Sequence, residues 1–315
     1  MPFSLTNAVI QSIKILRNKS PLVVVGFGGF ASGPGGLAAF LTRTPLVIHE
    51  QNAIAGLTNK VLKKVAKMTF QAFPGAFGVA EDRLVRASEK LKTVGNPVRS
   101  EILALNAIKH KAKKETKNIL VIGGSRGALA LNNNLPKVFK KLIDEKEINV
   151  RHQVGRNRLD ETKKIYLQSG VNINDGAQSG STVAVAEFIE DMAEAFSWAD
   201  LVICRAGAST VSEVAAAGLC AIFVPYPHAV DDHQSANANW LVAQQAALSF
   251  SEKEVSQEAF FTEVKRLINS PLQIHQMGQN AKQMAFINAA QEVSDYCDII
   301  KTEMKNNAES GKKVA

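Results

Sequence analysis

The sequence predicts an α/β protein of two units, each a parallel sheet wound with helices. Three observations predict it. β-branched runs alternate with helix-like stretches along the chain. A polar, basic, strand-free stretch around residues 99–117 divides those runs into two series. Glycine-rich turns follow several runs directly, as they do where an open sheet passes its chain to a helix. At 315 residues the chain has room for two domains of about 100–200 residues.

The first nineteen residues, MPFSLTNAVIQSIKILRNK, place Leu5, Val9, Ile10, Ile13 and Leu16 at helical spacing. Lys14, Arg17 and Lys19 near the end suit the helix dipole. The segment lacks a basic start, and Asn7, Gln11 and Ser12 break its apolar run, so it is not read as a signal peptide. LVVVGFGG (22–29), PLVIHEQN (45–52), MTFQAFP (68–74) and LKTVGNP (91–97) follow as strands. GLAAFLTR and GLTNKVLKKVAK between them read as helices. The second series is NILVIGG (118–124), INVRHQVG (148–155), TVAVAEFI (182–189), DLVICRAG (200–207) and CAIFVPYP (220–227). A helical region over about 271–305 closes the chain before a polar tail expected to fray. The expected domains are 1–98, 99–290, and a C-terminal helix end and tail over 291–315. The glycine- and serine-rich stretch 167–182 reads as an insertion without an assigned function.

Hydrophobic residues at 46% and charged residues at 21% exclude a disordered or collagen-like chain. No apolar run reaches the roughly 18 residues of a membrane span. Three scattered cysteines, Cys204, Cys220 and Cys297, form neither a disulfide framework nor a zinc site, which fits a reducing compartment. Charge is uneven. Residues 1–117 carry 18 Lys and Arg against 6 Asp and Glu, while 118–315 carry 19 against 23. The basic part suits an anionic surface, such as a bilayer or nucleic acid, or is simply a solvated face. Nucleic acid is not expected, because aromatic interleaving and any known module are absent.

Five segments carry chemistry. GFGGFASGPGG (26–36) reads as a glycine turn that lets backbone amides approach a ligand, without the spacing of a dinucleotide or P-loop motif. HEQNAIAGLTNK (49–60) puts His49 and Glu50 at a strand end, where a general base would sit, or where a structural pair would stand. GGSRGA (123–128) offers a strand–turn–helix anion site with Ser125 and Arg126. It also satisfies G-x-S-x-G, the hydrolase nucleophile elbow, with Asp200 and His228 or Asp231 and His233 as partners. RAGASTVSEVAAAG (205–218) offers Thr210 and Ser212 as hydroxyl donors and capping groups. Glu213, read in the first helical turn, suits ribose hydroxyls. VPYPHAVDDHQSANA (224–238) crowds polar groups into a loop after a strand; its two Asp and two His lack a further ligand for a metal.

Together GPGGLAAF, HEQNAIAGLTNK, QAFPGAF, GNPVR, GGSRGA, RAGASTVSE and VPYPHAVDDHQSANA resemble the MurG family of glycosyltransferases (glycosyltransferase family 28) over about residues 21–300. The resemblance implies the GT-B fold: two Rossmann-like domains facing across a cleft, the N-terminal one incomplete here. It implies inverting transfer of GlcNAc from UDP-GlcNAc to lipid I, which forms lipid II for the peptidoglycan cell wall and so serves cell shape and division. Arg99 and Ser125 would contact the diphosphate, and Ile189 would lie against uracil. Ala208, Ser209, Thr210, Val211 and Ser212 would form the phosphate-side helix start, and Glu213 would bind ribose. Gln234 and Asn52 would hold the sugar. No metal on a DxD motif and no cofactor is implied. The enzyme would lie peripherally on the cytoplasmic face of the bacterial inner membrane, beside other cell-wall synthesis proteins, using Phe3, Leu5 and the basic N-terminal part.

The family also opens with a strand and a glycine loop of the type GGTGGHxxP, and this sequence holds neither. About 70 residues of the family pattern are therefore expected to be absent, leaving an unpaired sheet edge. The missing loop carries a histidine considered as the family's base, which leaves His49 and Glu50 as catalytic candidates. A nucleotide-sugar-binding remnant without catalysis is the alternative reading, and a hydrolase using Ser125 a further one.

Overall fold

The computed structural model describes residues 2–78, 90–105, 116–145, 148–173 and 183–312. The sequence readings for 106–115 and 174–182, and for the side chain of Phe3, lie outside the described residues. The chain divides into two compact units, Met1–Pro97 with Phe286–Ala315, and Val98–Ala285.

The first unit runs α1 (Pro2–Lys19), β1 (Val24–Gly26), α2 (Gly29–Leu41), β2 (Leu46–Glu50), α3 (Leu57–Leu62), β3 (Met68–Gln71) and β4 (Leu91–Thr93), and closes with α12 (Ala289–Lys312). Its strands are all parallel, in the order β1-β2-β3-β4. β2 is buried on both faces, which is why Leu46, Val47 and Ile48 form an unbroken apolar run rather than an alternation. Leu46 and Ile48 pack with Ala39, Leu62 and Ala66 beneath the helices of one face. Val47 packs with Phe70, Val94, Val293 and Ile300 on the other. The sequence set 291–315 apart; α12 spans Ala289–Lys312, and its Val293 and Ile300 help to form this core. Tyr296 meets Phe70 edge-on at 5.8 Å, and Glu303 and Glu292 pair with Lys67 and Lys92. The expected strand 22–29 also shortens: the turn is Gly28–Gly29, and Gly33, Gly35 and Gly36 lie inside α2. A Cβ on Gly36 would stand 2.7 Å from Leu62, so that glycine serves helix contact.

The second unit runs α4 (Ser100–Leu103), β5 (Lys117–Ile122), α5 (Leu129–Glu145), β6 (Ile148–Gln153), α6 (Leu159–Gln168), β7 (Val183–Ala186), α7 (Met192–Trp198) and β8 (Leu201–Cys204). It continues with α8 (Ala208–Ala217), β9 (Cys220–Phe223), α9 (His233–Val242), β10 (Ala247–Ser249), α10 (Glu258–Ile268) and α11 (Pro271–Gln283). The parallel strands lie in the order β10-β9-β8-β5-β6-β7, the doubly wound Rossmann order. β10 was not expected from the sequence; its three residues are too few to show a periodicity. The core joins Ile119, Val121, Phe139, Val150, Ile203, Ile222 and Phe260. Consecutive strands run outward from β5 to β7, and the chain then returns to β8 on the other flank of β5. That reversal opens a crevice between the β5 and β8 ends, where open α/β sheets bind ligands.

Candidate functional site

Parallel strands share one carboxyl edge, and four of the chemistry-bearing segments of the second unit leave from it. Ser125 follows β5, Ile189 follows β7, Ala208–Glu213 follow β8, and Gln234 follows β9. GGSRGA and RAGAST therefore flank the β5/β8 reversal.

α8 begins at Ala208 with Gly207 as its cap, so Glu213 stands in the second helical turn rather than the first. The dipole contribution expected from the sequence fades by there. Arg99 supplies the charge instead. Its Nε and Nη2 donate to Glu213 Oε1 at 3.1 and 3.0 Å. Burial pushes the Glu213 carboxyl up, and the neighbouring Arg99 guanidinium opposes that shift. Ser212, expected as a donor, gives its hydroxyl to Ala208 O at 3.0 Å. A hollow beside Arg99 is lined by Glu101, Ile102, Glu190, Asp191 and Met192, with Ile189 next in sequence.

The loop after β9 is held from below. Arg205 donates to Val224 O and Pro225 O at 3.0 and 3.2 Å, pairs with Glu252, and lies 5.4 Å from the Tyr226 ring centroid. Asn237 donates to Ala206 O at 3.1 Å, tying α9 to the turn after β8. Gln234 Oε1 accepts from Tyr226 N at 3.0 Å. Asp231 and Asp232 take positive φ, 53° and 49°, a conformation that costs roughly 1–3 kcal/mol per residue and concentrates at functional sites. Sequence reasoning missed the bracing by Arg205 and Asn237, although both lie in motifs it had singled out.

In the first unit, Glu50 is almost fully buried, and its two oxygens serve four donors. Oε1 accepts from Asn52 N at 2.9 Å and from Asn52 Nδ2 at 3.4 Å. Oε2 accepts from Gly56 N at 3.1 Å and from Asn59 Nδ2 at 2.8 Å. Glu50 is thus the anchor of the loop that carries Asn52. His49 is fully buried; its Nε2–H donates to Gly95 O at 2.8 Å and its ring lies 5.4 Å from Phe27. Nδ1 has no hydrogen-bond partner. Burial lowers its pKa, against the Gly95 hydrogen bond and the Glu50 charge, so the ring is neutral at pH 7.

The hydrolase pairing of Ser125 with Asp200 fails on position. Asp200 Oδ2 accepts from Asn118 N at 2.9 Å, at the amino end of β5, while Ser125 leaves its carboxyl end. Among the described residues no group of three or more His, Cys, Asp or Glu could hold a metal ion, and no helix is long and apolar enough to cross a membrane.

Two Rossmann-like units of parallel strands, with glycine turns and an Arg–Glu pair at the second unit's strand reversal, are the architecture of the GT-B class. Residues 118–293 match the glycosyltransferase family 28 C-terminal domain, and residues 1–71 the glycosyltransferase family 28 N-terminal domain. The chain belongs to glycosyltransferase family 28. It is 42% identical over 296 residues to the UDP-N-acetylglucosamine--N-acetylmuramyl-(pentapeptide) pyrophosphoryl-undecaprenol N-acetylglucosamine transferase of Shewanella denitrificans, covering 94% of this chain and 77% of that one. The enzyme of the same name from Alcanivorax borkumensis is 43% identical over 299 residues, covering 94% and 78%. The crystal structure of Acinetobacter baumannii MurG superposes with a TM-score of 0.77 at 39% identity, over 96% of this chain and 79% of that one.

Proposed function

We propose that this chain is a UDP-GlcNAc-dependent hexosyltransferase that moves N-acetylglucosamine from UDP-GlcNAc to lipid I, forming lipid II in peptidoglycan synthesis. The observation that carries the reading is the convergence of GGSRGA, RAGAST and the Arg99–Glu213 pair at the β5/β8 reversal. Its relatives' names supply the sugar and the acceptor.

In this reading Glu213 receives the ribose hydroxyls, and Ile189 lies against uracil. Arg99, Ser125 and the start of α8, Ala208 to Ser212, receive the diphosphate. Backbone amides and a guanidinium stabilise the negative charge that grows on the leaving diphosphate as its bond to the sugar breaks. Gln234 and Asn52 hold the sugar. Of the two base candidates, Glu50 is spent on its four donors, whereas neutral His49 keeps an unpaired Nδ1. His49 is therefore the remaining candidate to take the proton of the attacking hydroxyl, a role worth about 10²–10⁴ in rate that its buried Nδ1 fills only once the acceptor opens a path to it.

The first unit supplies the membrane contact in this reading. Leu5, Ile10 and Ile15 on α1, and Phe30, Phe40 and Leu41 on α2, are exposed. Lys14, Arg17 and Lys19 accompany them on α1. Apolar side chains beside cations suit an anionic bilayer surface, so the enzyme lies peripherally on the cytoplasmic face, where lipid I is presented.

Calorimetry with UDP-GlcNAc, followed by transfer to a lipid I analogue, tests the proposal. Binding with transfer is the expected result. Binding without transfer would leave a nucleotide-sugar-binding protein, and absence of both would overturn the reading.

A further inference from the structure

A second cationic surface lies on the other side of the β5 end from Arg99, where the turns after β5 and β6 meet. The turns touch backbone to backbone. A Cβ on Gly155 would stand 2.2 Å from Gly127 N, and one on Gly127 would stand 2.2 Å from Val154 O, so only glycine allows the contact. Both residues also take positive φ, 90° and 75°. Arg156 N donates to Ser125 O at 3.1 Å and locks the turns in register. The result is one hollow lined by Ser125, Arg126, Arg156, Asn157 and Arg158.

Its charge is incompletely balanced. Arg158 pairs with Glu161 at 3.1 Å, and Glu187 is occupied by Asn157 N at 2.8 Å. Arg126 and Arg156 make no ion pair among the described residues. Two guanidiniums that line one hollow without an ion pair gain from an anion that enters it. Their planar forks match phosphate oxygens in bidentate fashion. Arg99, by contrast, has its charge already paired with Glu213.

We propose that Arg126 and Arg156, with the Ser125 hydroxyl, bind a diphosphate as a second cationic clamp beside Arg99. The proposal rests on the glycosyltransferase reading for the choice of diphosphate. Two substrates of that reaction carry one: the nucleotide sugar and the lipid-linked acceptor. The clamp acts on binding, and on charge in the leaving group when the diphosphate is the donor's.

The test uses the full chain as wild type, R126A/R156A and R126K/R156K. Thermal unfolding serves as the folding control, since Arg126 and Arg156 are exposed. Calorimetry measures UDP, UMP and inorganic pyrophosphate; steady-state transfer measures KM for UDP-GlcNAc and for a lipid I analogue. The expected result is a loss of about tenfold or more in UDP and pyrophosphate affinity in R126A/R156A, with a smaller loss for UMP and partial recovery in R126K/R156K. Unchanged UDP affinity with a raised acceptor KM would support the clamp with the acceptor's diphosphate as its ligand. Unchanged affinities and unchanged KM values in a wild type that binds UDP would overturn it. A wild type that binds pyrophosphate through these arginines but not UDP would keep the clamp and remove the glycosyltransferase reading.

Discussion

Arg99 directs Nε and Nη2 at a single oxygen, Oε1, of Glu213, at 3.1 and 3.0 Å. The two residues are 114 positions apart, and α4 against α8 brings them together. Burial alone raises the Glu213 pKa, and Arg99 counteracts it. A carboxyl whose folded pKa is raised contributes stability below its ordinary value of 4.5, and that contribution is lost as pH rises through the folded value. At pH 7 the charged Glu213 therefore costs stability. We expect Glu213→Gln to unfold no earlier than wild type at pH 7, yet to bind UDP about tenfold or more weakly. Differential scanning calorimetry and titration with UDP check the two halves; a large fall in unfolding temperature would mean that the ion pair outweighs the burial.

Glu50 gathers four donors into one loop. Glu50→Ala leaves buried amide donors unmatched and is expected to cost about 2–4 kcal/mol. Transfer should fall with it because Asn52 loses its anchor, while UDP affinity, a property of the second unit, should hold. Urea unfolding together with UDP titration separates these effects, and a variant of full stability would refute the anchoring role.

Gly95 takes φ 83°, and a Cβ there would stand 2.1 Å from Phe286 Cβ. Gly95→Ala combines backbone strain with overpacking and should lose about 2–4 kcal/mol. It should also disturb His49, whose Nε2–H bonds Gly95 O. Denaturant midpoints measure the loss; a change below about 0.5 kcal/mol would show that Phe286 yields freely.

His49 and His152 are both buried neutral. Burial lowers the His152 pKa to about 3, and its Nδ1 lies 2.8 Å from the Tyr166 hydroxyl. A depressed pKa gives stability that is present above the ordinary 6.5 and lost as pH falls towards the folded value. Stability should therefore decline from pH 6.5 downwards. Replacing both partners, His152→Leu with Tyr166→Phe, should flatten that decline in pH-dependent unfolding, and an unchanged slope would place its origin elsewhere. His49→Ala should leave UDP binding intact and lower transfer; equal loss of both would assign His49 a structural task.

Phe30 is fully exposed, and Phe40 and Leu41 are more than half exposed. Phe30→Ser with Phe40→Ser should weaken sedimentation with vesicles containing anionic lipid and leave UDP affinity unchanged. Equal sedimentation of variant and wild type would remove α2 from the membrane surface.

Much of this molecule is local in origin and was therefore legible in the chain. Apolar runs such as LVI (46–48) and ILVI (119–122) announce buried parallel strands, because the middle of a strand covered on both faces needs apolar residues on each side. The glycine turns after β5 and β8 were legible as strand–turn–helix junctions, because a strand end, a tight turn and a helix start are neighbours in sequence. The ordered motifs carried the family with them. Tertiary structure alone decided which groups remain available. Glu50 looked like half of a catalytic pair and is a loop anchor, since its donors come from Asn52, Gly56 and Asn59 folding back upon it. Glu213 was placed one turn too early, because the helix start depends on where β8 releases the chain. The Gly127–Gly155 contact, and with it the pairing of Arg126 with Arg156, joins segments about thirty residues apart. Periodicity and spacing describe neighbours along the chain; hydrogen-bond partners, burial and charge pairing are set by neighbours in space, which exist only once the sheet has closed.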